Sequence, residues 1–164
     1  MTILEICQWL ETTSLGAIAR ESFYGFQILV GVHILGLVLS VGMLLWVDLR
    51  MIGLTLTGER LTEVYRSLSP WFLVGFGVMF LSGSAIFAGF ATSAYENTAF
   101  RVKLVALVLA GINAVVFHVM AKEMSSDSDA SRVPPAMVRV AGFASIVLWG
   151  TVILSGRMMS YTMF

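Results

Sequence analysis

Long apolar runs alternate with short polar stretches along most of the chain, and that alternation predicts the architecture. Four runs, over about 23–47, 71–92, 99–121 and 136–159, each meet the length of about 20 apolar residues that a membrane-spanning helix needs. Asp48 and Arg50 mark the exit of the first run. Ahead of it, over residues 1–20, Ile3, Cys7, Leu10 and Ala17 or Ile18 recur at helical spacing, with Trp9 beside them and Glu5, Gln8, Glu11 and Thr12 opposite. This pattern predicts an amphipathic helix lying at the membrane interface.

The connector "MIGLTLTGERLTEVYRSLSP" carries Leu61, Val64 and Leu68 on one face, which predicts a short interfacial helix. Pro70 is expected in the first turn of the second membrane helix, where proline is tolerated. The segment at 122–135, "KEMSSDSDASRVPP", is polar and ends in prolines, so it reads as a solvated loop. The expectation is an all-α integral membrane protein: a four-transmembrane-helix bundle, one membrane domain over 1–164, with an N-terminal interfacial helix.

Composition agrees. The chain is 58% hydrophobic and 12% charged, against about 25% charged residues in a typical soluble domain. A formal net charge of zero points away from nucleic acid. Cys7 is the only cysteine, which excludes an intramolecular disulfide and any multi-cysteine metal site. No CxxC, HExxH, Walker or GxSxG motif occurs, so independent catalytic activity is not expected. The N-terminus, with Glu5 and Glu11 and no early basic region, does not read as a cleavable signal peptide.

Basic residues divide six to four between the two ends of the bundle, with Arg50, Arg60, Arg66, Lys122, Arg132 and Arg139 against Arg20, Arg101, Lys103 and Arg157. The excess favours cytoplasmic connectors after the first and third spans and periplasmic termini. Small residues recur every four positions at Ala106, Ala110 and Ala114, and again at Gly36 and Ser40, as expected of packing seams.

His33 and His118 are the only histidines, and both fall inside spans. Ionisable groups in hydrocarbon are functional candidates, and a membrane histidine pair suggests a b-type haem. One haem shared by these two is not expected, because their depths differ by roughly 12–15 Å at about 1.5 Å per residue. A haem held by His33 with a methionine as second ligand, Met79 near the middle of the second span or Met43 farther along the first, passes that test. Lys103 and Arg157 would then meet the propionates, and Gly36, Gly75, Gly77 and Gly83 would leave room for the macrocycle. A homodimer with its axis along the membrane normal would bring two His33 residues to one level and allow a bis-histidine haem. The alternative is a neutral His33 hydrogen-bonded to Ser40, Asn113 or a backbone carbonyl.

His118 lies at a level that Asp48 could approach, either as a proton-relay pair or as an ordinary buried hydrogen bond. Asp48 and Arg50 do not share a helix face; they are expected to anchor the helix end, with Arg50 on lipid phosphate. Trp46, Trp71 and Trp149 read as anchoring or packing aromatics, and the ten methionines as apolar filler.

Several of these pieces resemble one family. His33 followed by "DLRMIG", "NTAFRVKL" with the "AGINAVVFH" after it, and "LWGTVILSGRMMSY" resemble a family of short bacterial membrane proteins of unknown function. The resemblance implies four spans in a bacterial inner membrane. It marks His33, Asp48, Arg50, Asn97, Arg101, Lys103, Asn113, Trp149 and Arg157. The family pattern places an acidic residue one turn before the histidine; Val30 stands there instead. Three functional readings follow: a haem-b electron-transfer protein using His33 with quinone as partner, a non-catalytic subunit of a larger membrane complex, and a small proton or solute transporter. The second span offers only serines as polar steps, which counts against the transporter.

Overall fold

The computed structural model describes residues 2–124 and 136–163. It contains seven helices among the described residues: α1 (Ile3–Thr12), α2 (Ser14–Glu21), α3 (Gly25–Ile52), α4 (Leu61–Gly89), α5 (Ala91–Glu96), α6 (Thr98–Met124) and α7 (Ala136–Met163). Four of them, α3, α4, α6 and α7, are long and apolar enough to cross a membrane. Their outer surface is hydrocarbon: Leu35, Leu81 and Leu154 are 70, 72 and 69% exposed. A helix apolar on its outside as well as its inside needs lipid as solvent.

The N-terminal segment is two helices, not the one that the spacing predicts. Thr2 and Glu5 form a capping box that opens α1. Thr13 then ends α1 with a hydroxyl that donates to the Leu10 carbonyl at 2.6 Å, and accepts the Gly16 N–H at 3.3 Å to start α2. This cap sits on the bundle end that carries α5. Gly16 lies so near α4 that a Cβ would stand 2.8 Å from the Ala88 carbonyl oxygen. Glu11 accepts the Thr92 N–H at 2.7 Å, which holds the first turn of α5. Cys7, on α1, is buried.

α3 ends at Gly53, whose φ of 87° is the left-handed conformation of a helix C-cap. The Leu54 N–H then returns to the Leu49 carbonyl at 2.9 Å. α4 begins at Leu61, nine residues before Pro70, so the expected interfacial helix and second span are one continuous element. Pro70 lies in its interior and leaves the Arg66 carbonyl without its usual N–H partner. Ser69 supplies a substitute, its hydroxyl reaching that carbonyl at 3.4 Å. At the other end, α4 stops at Gly89, Phe90 caps it, and α5 follows. Of the expected polar loop, residues 122–124 continue α6; positions 125–135 lie outside the described residues.

α3 and α4 make the closest helix pair. A Cβ on Gly36 would stand 2.8 Å from the Met79 nitrogen, and one on Gly75 2.5 Å from the Ser40 nitrogen. Gly142 brings α7 onto α3 in the same way, 2.8 Å from the Met51 Cβ. Ala106 and Ala110 are buried with Met79, Trp149 and Val152 in one core, whereas Ala114 is exposed. A second core, away from the termini, gathers Val47, Met51, Leu61, Val64, Phe117, Val138 and Ala141. Aromatic rings bridge α4 and α6. Phe87 and Phe100 stack with centroids 5.4 Å apart, and Tyr65 meets Phe117 edge-on at 5.3 Å.

Candidate functional site: a four-helix polar centre at His33

Three of the four membrane helices carry a polar or titratable side chain into one region, and the fourth contributes a glycine. α3 supplies His33, α4 Ser82 with Gly83, α6 Lys103 and α7 Gly156. The His33 Nδ1 lies 3.1 Å from the Ser82 Oγ, and the ring also reaches the Met79 main chain. Gly83 makes room for it: a Cβ there would stand 3.0 Å from the His33 Cε1.

The hydrogen-bond network assigns the tautomer. Ser82 has one hydroxyl hydrogen, and it goes to its own helix, to the Val78 carbonyl at 2.7 Å with Met79 at 3.2 Å. The serine oxygen is therefore the acceptor and the histidine Nδ1–H the donor. In that tautomer Nε2 carries the ring's lone pair, and it is the nitrogen that a ligand or a transferable proton would use.

Lys103 is within electrostatic range of His33, and its Nζ would stand 3.6 Å from a Cβ on Gly156. Among the described residues its ammonium has neither an acceptor nor a carboxylate partner. The centre thus combines one unprotonated imidazole nitrogen with one lysine that no carboxylate neutralises among the described residues, inside hydrocarbon where both are costly.

The structure brings together three of the four residues expected to hold a cofactor: His33, Met79 and Lys103. Arg157 is elsewhere, exposed at the end of α7, donating to the Tyr161 hydroxyl at 3.0 Å and lying over its ring. The fit of a haem between His33 and Met79 fails on helix spacing. Gly36 and Gly75 stand one turn from His33 and Met79, and they put the α3 and α4 backbones in contact. No macrocycle fits between helices that touch there, and Met79 itself is spent in the central core. Of the four glycines expected to leave room for the macrocycle, Gly36 and Gly75 serve close packing, Gly83 seats the imidazole, and Gly77 has nothing within 4 Å of a Cβ.

The second histidine belongs to a different place. His118 Nδ1 meets the Tyr65 hydroxyl at 3.3 Å. Ser82 and Tyr65 are 17 positions apart on α4, about 25 Å along its axis, so the two histidines serve separate sites. Asp48 takes Ser145 as partner instead of His118, and is 3% exposed. Asn113 donates to the Ala141 carbonyl at 3.0 Å.

Arg50 was expected on lipid phosphate; it is 2% exposed and turned inward. Its Nε and Nη2 clamp the Glu59 carbonyl at 3.0 and 2.7 Å, holding the connector against the helix end. Its Nη1 is buried without a partner among the described residues. Ser82, the partner that fixes the tautomer, was not singled out from sequence; its signal was one of two serines flanking Gly83 in an apolar span.

Fold and site together define a four-span membrane protein with one intramembrane histidine–lysine centre. The chain belongs to the DUF6644 family, described as a family of unknown function, whose model matches residues 6–162. No curated protein and no solved structure matches the chain.

Proposed function

We propose that the protein is a membrane-embedded electron-transfer component that binds a lipid-soluble carrier of the quinone type at His33 and Lys103. The observation that carries this reading is the pairing of an unprotonated Nε2 with a Lys103 side chain that has no acceptor among the described residues, in one apolar bundle. A quinol hydroxyl needs an acceptor, which Nε2 supplies. A quinone carbonyl, or the oxyanion formed as electrons arrive, needs a cationic donor, which Lys103 supplies. In hydrocarbon both bonds count for more than they would in water, because no solvent competes for either partner.

Ser82 keeps Nδ1 occupied, so any proton that the ring takes up enters and leaves at Nε2. The residues here bind, orient and hold a proton; the electrons come from a partner. A haem carried on His33 alone is the competing form of the electron-transfer reading, and a non-catalytic subunit is the third.

One set of measurements separates them. Detergent-purified protein is titrated with a short-chain ubiquinone, following tryptophan quenching, and absorption spectra are taken oxidised and dithionite-reduced. Saturable quenching that weakens at least ten-fold in both His33→Ala and Lys103→Met supports the proposal. A Soret band that shifts on reduction and vanishes in His33→Ala replaces it with haem. Neither quenching nor colour overturns both and leaves the subunit reading.

A further inference from the structure

α6 carries two apolar grooves on its outer face, and they share walls. The larger, of about 350 Å³, runs from Thr98 and Arg101 at the end carrying the termini down to Leu109, with Leu148 and Thr151 of α7 as its far side. The smaller, of about 250 Å³, lies along Leu104, Val105, Val108 and Leu109. Val105 and Leu109 border both, forming a ridge with a furrow on each side. Thr151 turns its hydroxyl to the Val147 carbonyl at 2.9 Å, so the far wall presents no free donor.

The grooves have a dimension and a charge that suit one occupant. From Thr98 to Leu109 the larger groove covers 12 positions of α6, about 16 Å of helix. One leaflet of hydrocarbon is about 15 Å deep. Arg101 stands at the mouth, exposed. Its Nε and Nη2 both donate to the Tyr95 carbonyl, at 3.3 and 3.2 Å, and the guanidinium lies 5.6 Å from the centre of the Tyr95 ring. This fixes the guanidinium in place while Nη1 keeps its hydrogens for another acceptor. No carboxylate pairs with it among the described residues.

We propose that this face binds one anionic phospholipid, its phosphate on Arg101 and its two acyl chains in the furrows on either side of the Val105–Leu109 ridge. The inference is independent of the quinone reading, since the grooves lie on the outside of α6 and Lys103 faces the interior.

The test is native mass spectrometry of the delipidated protein in detergent, titrated with phosphatidylglycerol and with phosphatidylcholine of the same acyl composition. The expected result is a single tight site with about a five-fold preference for phosphatidylglycerol, the scale of one interfacial arginine. Arg101→Gln should erase the preference, and Arg101→Lys should keep it. Val102→Trp, which fills the larger groove, should weaken both lipids. Equal binding of the two lipids by the native protein overturns the proposal. So does inorganic phosphate competing as well as the lipid, which would leave a simple anion site without the grooves.

Discussion

The Gly75 backbone lies against the Ser40 backbone so closely that a Cβ on the glycine would stand 2.5 Å from the Ser40 nitrogen. Neither side of that contact is a flexible side chain, so the helices themselves must part to admit any substituent. Ser40, at 1% exposure, has no room to yield.

Gly75→Val should therefore destabilise the bundle by about 1–3 kcal/mol or more, the cost of overpacking against backbone. Gly77→Ala, two positions along the same helix with nothing within 4 Å of a Cβ, should be neutral or gain up to about 1 kcal/mol from helix propensity. Thermal denaturation in one detergent, read by circular dichroism, compares the two. Equal melting temperatures would contradict the close contact.

Arg50→Met should loosen the connector more than it unfolds the bundle. The change removes a buried cation with an unpartnered Nη1 along with the two bonds to the Glu59 carbonyl, so gains and losses partly offset. Global stability should fall by about 1 kcal/mol or less. Trypsin cleavage after Arg60, followed by mass spectrometry, should become several-fold faster.

Pro70 and Ser69 should show opposite signs. Pro70→Ala restores the N–H that the Arg66 carbonyl lacks and should stabilise α4, by up to about 3 kcal/mol. Ser69→Ala in the native background removes the substitute donor and should cost about 0.5–1 kcal/mol. In the Pro70→Ala background the serine change should cost less, and the difference between the two melting shifts measures that coupling.

Asn97 joins two helices through one side chain. Its Oδ1 accepts the Ala99 and Phe100 N–H groups at the start of α6, at 2.9 and 3.3 Å. Its Nδ2 donates to the Thr162 hydroxyl near the end of α7, at 2.7 Å. Asn97→Ala should cost about 1–2 kcal/mol. Asn97→Asp keeps the cap and loses only the donation to Thr162, so its melting temperature should fall between the two.

The number of spans was legible because hydrophobic length is a one-dimensional signal that lipid imposes directly. The packing seam at Gly36 and Ser40 was legible for a related reason: small residues one turn apart have few uses in a membrane other than close approach. Boundaries were harder. The start of α4 was hidden because Leu61, Val64 and Leu68 carry the same helical period as the span that follows, and Pro70 looked like a start signal. Ser69 shows how the helix passes that residue, by a side-chain donor whose role depends on geometry. The site was half legible. His33 and Lys103 stand out as ionisable residues in apolar runs, but their juxtaposition depends on how helices far apart in sequence are rotated. Arg50 misled because an arginine at a helix end ordinarily turns outward. The turn at Gly53 brings the Glu59 carbonyl back within its reach.

The chain's single thiol is shut inside the cap, since Cys7 is 4% exposed. A reagent reaching it must wait for α1 to lift from the bundle. Its labelling rate is thus a clock for that one movement, with no second cysteine to confuse the reading and no engineered probe to disturb the membrane helices beneath.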